Sequence, residues 1–402
     1  VVLTARASWA KLQSLCQALS LRADVELQIV CCASALLERY GNVSLILEAQ
    51  GFAITERVYS VFEGATLETT AMEVGALQEA LSRTYARLKP DVVVACADRR
   101  EILAVAGAAR MQEIPIAHIQ GGELSGSVDD AIRNAVTQLA TEHFVCTTRA
   151  KHRVYGLTGR WEHIWHVGCG SIDVAREALD TPKVTFAEIG GVGYTFDLTE
   201  RFVIVLQHPV TSEVEQAAAQ MQTTLDATVG QRRIVFWSGQ DAGAESMAKV
   251  LRMTPDIHTV RNLPPQRFLR LLTQCACLVG NSSCGIRESS WLGIPVVNVG
   301  SRQAGRERGP NVIDVPHDVT RIRAAMETQL AHGRYPSSRL YGDGHAGERI
   351  CDVLLQLPIG SGPKSHPAPR AGSGPALSTT TDTERSLGPE GIPAVRIVSP
   401  GN

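Results

Sequence analysis

The sequence predicts an α/β protein of two Rossmann-like, doubly wound domains with a cleft between them. Short runs rich in β-branched residues alternate with longer helical stretches, the pattern of a parallel sheet covered by helices. The alternation breaks down after Pro182 and restarts at Phe202, which makes two such units in tandem, the arrangement of the glycosyltransferase B fold (GT-B-like). The residues of strongest chemical character fall where strands end, and ligands bind at those ends in open α/β sheets.

In the first unit, Val1–Leu3, Val25–Cys32, Val92–Ala97, Ile114–Ile119 and Phe144–Thr147 read as strands. Trp9–Leu19, Thr70–Leu88 and Ile102–Met111 read as the helices between them. The crossover falls within Gly168–Pro182, with a helical pattern over Asp173–Leu179. In the second unit Phe202–Leu206, Ile234–Trp237, Thr259–Val260, Ala276–Val279 and Val296–Val299 are the strands, and Arg349–Leu357 is a last helix. The expected division is therefore residues 1–170, residues 171–357 and a tail, 358–402. The tail is rich in Pro, Gly, Ser and Thr without apolar periodicity, so disorder is expected there.

A net charge of −2 provides no electrostatic footprint for nucleic acid or an anionic membrane surface. No apolar run reaches membrane-spanning length, and no basic segment followed by a long apolar one opens the chain. A cytoplasmic protein is expected. The ten cysteines lack zinc or thioredoxin spacing, so reduced thiols and no metal are expected. Cys284 alone lies in a segment with chemical character.

That segment is Gly280-Asn-Ser-Ser-Cys-Gly-Ile-Arg-Glu288. It follows an apolar strand and leads into a helix expected over Gly285–Leu292, ended by Gly293. Free N–H groups at a helix start favour an anion. Ser282 and Ser283 add donors for a diphosphate, and Glu288 is placed to accept ribose hydroxyls. The plainer alternative is a helix capped by Ser283. Asp98 ends a strand, either as a cleft carboxylate or as a helix cap. Gly121-Gly122 permits close backbone approach, and Glu123 follows. Asp129 and Asp130 open a helix with Arg133 one turn on, either as favourable helix-start charge or as a cleft carboxylate oriented by arginine. His208 ends a strand before Pro209. Arg302 and Arg306 lie in a loop, either closing over a ligand or solvated.

Five blocks, in order, carry a family resemblance: Asp98-Arg99; His118-Ile-Gln-Gly-Gly-Glu-Leu-Ser-Gly126 with Asp129-Asp-Ala-Ile-Arg133; Leu206-Gln-His-Pro-Val-Thr211; Gly280 to Val315; and Tyr341-Gly-Asp-Gly344. Over residues 1–357 the chain resembles the hydrolysing UDP-N-acetylglucosamine 2-epimerases, including the epimerase half of the animal bifunctional epimerase/N-acetylmannosamine kinase and the bacterial sialic-acid-pathway enzymes. The resemblance implies elimination of UDP across C1–C2, then addition of water to release N-acetylmannosamine. It implies a UDP-sugar substrate, no cofactor, and a homo-oligomer, dimer or tetramer. It assigns acid/base work to Asp98, Glu123 and Asp129, orientation to Arg133 and leaving-group assistance to His208. It assigns substrate binding to Arg6, Gln120, Ser282, Ser283, Gly285, Glu288 and Arg302.

The chain departs from the family pattern on the sugar side. Gln120 stands where the animal enzymes have a glutamate, and Asn134 where hydrolysing relatives have a histidine. Ser8-Trp9 replaces Asp-Tyr, and Ala97 replaces a glycine. A related enzyme retuned to a modified amino sugar, a weakly active nucleotide-sugar-binding relative, and a glycosyltransferase on the same fold therefore stay open as alternatives.

Overall fold

A computed structural model describes residues 1–63, 66–126, 129–239 and 242–357, all within one compact unit. The tail expected over 358–402 lies outside the described residues. Two short parallel sheets come first. One has the order β1 (Val2–Leu3), β2 (Val30–Cys32), β3 (Glu56–Val58); the other runs β4 (Val93–Cys96), β5 (Ile116–Ile119), β6 (Glu142–Val145), β7 (Ile164–His166). β1 lies against β4, so the two sheets continue one another, and Val2, Val30 and Val93 share one core cluster with Leu77 and Leu81. A third sheet has β8 (Val192–Gly193), β9 (Phe202–Leu206), β10 (Arg232–Phe236), β11 (His258–Val260), β12 (Cys277–Gly280), β13 (Val296–Val299) and β14 (Val312–Val315) in the order 14-13-12-9-10-11-8. All its pairings are parallel except the edge strand β8 on β11.

β9, Phe-Val-Ile-Val-Leu, is buried throughout because helices cover both faces of its sheet. The strand expected over Val25–Cys32 pairs only at Val30–Cys32, against Val2 and Leu3 of β1 on one side and Glu56–Val58 of β3 on the other. β3, β7, β8 and β14 were not foreseen; each has four residues or fewer.

The last helix, Ala346–Gln356, returns to pack on the first, Arg6–Ser20, where Ile350, Cys351 and Leu354 join Leu12, Leu15 and Leu19 in one cluster. Asp173, in the helix Gly170–Leu179, caps that last helix by accepting from Ala346 N at 3.0 Å and Gly347 N at 2.7 Å. The helix expected over Gly285–Leu292 is two short ones, Ser283–Ile286 and Glu288–Leu292, parted at Arg287 (φ −94°, ψ −76°). No described helix is long and apolar enough to cross a membrane.

Candidate functional site

Left-handed, non-glycine residues follow three strands of the N-terminal sheets: Ala33 (φ +50°) after β2, and two that bear on the site. Ala97 (φ +70°) follows β4 and delivers Asp98, and Gln120 (φ +67°) follows β5. Each such residue costs about 1–2 kcal/mol, so packing must hold it. At Ala97 the holder is His118, whose ring Nε2 lies 3.0 Å from the Ala97 carbonyl while Thr137 Oγ1 lies 3.2 Å from Nδ1. Burial pushes His118 down to about 4, so it is a neutral imidazole donating from Nε2. Gly122 (φ +76°) is required for packing, because a Cβ there would sit 2.3 Å from the Ala150 carbonyl.

In the third sheet, β9 and β12 are neighbours although far apart in the chain, and sheet order turns between them. Such a switch point opens a crevice at the strand C-termini. His208 and the turn at Asn281 occupy it. Asn281 Oδ1 accepts from His208 N at 2.7 Å, and its Nδ2 donates to His208 O at 2.8 Å. Arg302 Nη1 and Gln303 Nε2 donate to the Asn281 carbonyl at 3.2 and 2.9 Å. Ser282 is the N-cap, accepting from Cys284 N at 3.4 Å, so the cap is not Ser283. Gly285 is buried one turn on, with Val296 and Leu278 side chains against the place a Cβ would take. Cys284 is buried and pushed up to about 12 by that burial, which makes it an inert thiol.

The two sets meet at Arg287. Its guanidinium donates to Gln120 Oε1 at 2.8 Å and pairs with Glu123 Oε2. Arg306, from the loop after β13, pairs with the same Glu123 oxygen and stands 3.9 Å from Asp98. Burial works to raise the Glu123 carboxyl, but the facing Arg287 and Arg306 charges outweigh it and hold it below the usual carboxylate range. Glu123 Oε1 is buried and has no hydrogen-bond partner among the described residues. Arg133, 1% exposed, pairs with Asp98 and Asp130 and donates to the Glu123 carbonyl at 2.6 Å. Burial, then Arg306 and Arg287, pushes Arg133 down.

Asp98, Gln120, Glu123 and Arg133 thus form one connected network with Arg287 and Arg306. Asp130 is tied into the turn before its helix, accepting from Ser125 N, Ser125 Oγ and Gly126 N, each at 2.8 Å. Asp129 is the first residue of that helix, Asp129–Leu139. Glu288 Oε2 is buried without a hydrogen-bond partner among the described residues. Arg6 begins the helix after β1, and burial pushes it down to about 10. It has no ion-pair partner among the described residues. His208 and Arg302 stand at the β9–β12 crevice through the Asn281 contacts above.

Sequence reasoning passed over Arg287, although it lies inside the quoted Gly280–Glu288 segment; among Glu288, Ser289 and Ser290 its charge does not stand out. Tyr341 was quoted but given no role; its ring lies 5.7 Å from the Arg287 guanidinium, and its hydroxyl donates to the Glu307 carbonyl at 2.8 Å. Lys11, one turn beyond Arg6, is pushed down by burial, then by Arg287 and Arg306. Cys169, against Gln120, carried no signal in the sequence.

The family model described as UDP-N-acetylglucosamine 2-epimerase matches residues 17–355. The chain is 30% identical over 361 residues to the UDP-N,N'-diacetylbacillosamine 2-epimerase (hydrolyzing) of Legionella pneumophila, covering 89% of this chain and 95% of that one. It is 28% identical over 357 residues to the UDP-N-acetylglucosamine 2-epimerase of Neisseria meningitidis, covering 87% and 92%. The solved UDP-GlcNAc 2-epimerase of Methanocaldococcus jannaschii, in complex with UDP-GlcNAc and UDP, shares its fold at a TM-score of 0.73 and 17% identity, covering 88% of this chain and 98% of that one. With the match spanning most of the chain and the paired sheets arranged as described, this protein belongs to the UDP-N-acetylglucosamine 2-epimerase family.

Proposed function

We propose that this protein is a hydrolysing 2-epimerase of a UDP-linked 2-acetamido sugar. The observation that carries the reading is the convergence at Arg287, which joins the Glu123 and Gln120 side to the Ser282–Glu288 turn. Carboxylates for proton transfer and a polar turn for the leaving diphosphate then face one substrate.

In this reading a carboxylate removes the C2 proton while the C1–O bond to UDP breaks. The C–H electron pair becomes the C1=C2 double bond, and UDP leaves with the bonding pair. Water then adds, hydroxyl to C1 and proton to C2 from the opposite face, which releases the sugar with C2 inverted. Glu123 is ionised and carries one open oxygen, so it enters as a base rather than an acid. Asp98 and Asp129 carry the remaining proton transfers, with Arg133 orienting Asp98. Ser282, Ser283 and the N–H groups leading to Gly285 receive the diphosphate, aided by Arg6, His208 and Arg302. Glu288 accepts from the ribose. Gln120 hydrogen-bonds the sugar side. The two lobes of the proposal are residues 1–170 and 171–357.

A second reading keeps the chemistry and changes the sugar to N,N'-diacetylbacillosamine. It is favoured by the names of the Legionella relative and of a Campylobacter jejuni relative, 27% identical over 323 residues. Incubation with each UDP-sugar in deuterated water separates the cases. Free C2-inverted sugar carrying deuterium at C2 supports hydrolysing epimerisation and names the sugar. A UDP-linked C2 epimer without free sugar overturns the hydrolysing step.

A further inference from the structure

Cys169 is fully buried at the N-cap position of the helix Gly170–Leu179, and donors surround its sulfur. Gln120 Nε2 lies 2.9 Å from Sγ, Ser171 Oγ 3.0 Å and Arg287 Nη1 3.9 Å. The Cys146 thiol hydrogen-bonds to it as well. The Gln120 contact has a fixed direction. Gln120 Oε1 accepts from Arg287 at 2.8 Å, a guanidinium has no acceptor, and the amide NH2 must therefore face the sulfur. Amide and guanidinium each bring a proton to Sγ that they cannot withhold, and the Ser171 hydroxyl and Cys146 thiol can bring two more. An acceptor ringed in this way is matched by an anion.

We propose that Cys169 is held as a thiolate in the folded protein and that this anion is a positioning residue, fixing the Gln120 amide between itself and Arg287. The ionisation stands apart from the epimerase reading; the positioning role rests on it. The groups facing Cys169 agree. The Cys146 hydrogen bond lowers the Cys169 thiol, burial opposes it, and Arg287 lowers it again, to about 6. Glu288 faces it with the opposite effect. Lys11 and Cys96 also feel its charge. Cys146 is pushed well above the usual thiol value, so it keeps the shared proton. Burial pushes up the other eight cysteines. At neutral pH the protein therefore contains a single thiolate.

The test is a pH titration of thiolate ultraviolet absorbance on the folded full chain, with circular dichroism as the fold control. The expected result is a step equivalent to one thiolate with its midpoint at about 6, absent in Cys169→Ser and kept in Cys284→Ser. In Gln120→Glu the new carboxylate should move the step to higher pH by like-charge repulsion. No step in the wild-type protein, which needs no variant to fold, overturns the proposal; so does a step that survives in Cys169→Ser. For the positioning role, Cys169→Ser should lower kcat with KM little changed, and Cys169→Asp should restore much of kcat by supplying a fixed anion. Unchanged kcat in Cys169→Ser removes that role. Failure of the epimerase reading would appear separately, as wild-type protein that turns over no UDP-sugar yet keeps its thiolate step.

Discussion

Arg287 and Glu123 form an ion pair between side chains only 2% and 6% exposed, across 164 positions of sequence. Neither charge has bulk water to fall back on. The geometry at Glu123 is shared, because Arg306 approaches the same carboxylate oxygen. The pair therefore fixes the strand-end loop after β5 against the turn after β12.

Removing one partner of such a pair strands the other, which typically costs about 3–5 kcal/mol. Arg287→Ala should lose stability on that scale in denaturant titration. Arg306 remains to pair with Glu123, so the lower end of the range is expected. Arg287→Lys should recover only part, since an ammonium cannot serve Gln120 and Glu123 with the same fork. A change below about 1 kcal/mol in Arg287→Ala, the scale of an exposed pair, would show that the contact is not closed in solution.

His118 predicts a pH dependence. Its folded value, about 4, lies below its unfolded value of 6.5, so between these the unfolded chain binds the extra proton. Stability is therefore full above about 6.5 and declines as pH falls toward 4, by up to about 3 kcal/mol. His118→Gln keeps a donor for the Ala97 carbonyl and should flatten that limb. Equal slopes in the two proteins would remove His118 as its source.

The doubly wound pattern was legible because buried parallel strands such as β4 and β9 are unbroken apolar runs. The strand-end positions of Asp98, Gln120 and His208 followed from it. Edges were not legible: β8 is two exposed residues, Val-Gly, with no hydrophobic signature, and in β14, Val-Ile-Asp-Val, Asp314 interrupts a run that is only partly buried. The arginine hub was hidden for a different reason. Arg287 contacts residues far away in sequence, and periodicity reads only local neighbours. The break in the helix at Arg287 was masked by the helix-compatible residues on either side of it.

Asp98→Asn and Asp129→Asn preserve shape and remove proton transfer, which typically contributes about 10²–10⁴-fold. Turnover of the UDP-sugar should fall by that factor with UDP affinity nearly intact. Asp98→Asn also weakens the hold on Arg133, which retains Asp130. Near-normal kcat in either variant would exclude that residue from proton transfer.

Glu288 carries a buried oxygen without a hydrogen-bond partner among the described residues, and ribose hydroxyls would satisfy it. Glu288→Ala should weaken UDP binding by about 1.5–3 kcal/mol, the value of hydrogen bonds to a charged group. Calorimetry that returns an unaltered UDP affinity would remove the ribose role.

Gln120→Glu tests how acid/base work is divided. The new carboxylate would replace the amide between Arg287 and Cys169, with Glu123 already on the same guanidinium. Arg287 would then serve two carboxylates at once. Glu123 is held ionised by Arg287 and Arg306, and diluting that hold raises its pKa toward the protonated state. If Glu123 is the base, a larger fraction of the enzyme then starts in the wrong protonation state, and turnover should fall, most clearly on the acid side of the pH–rate profile. Lower activity that recovers as pH rises is the expected outcome. Higher activity at all pH values would mean that position 120 is where the base belongs, and Glu123 would be left as a counter-ion for the two arginines.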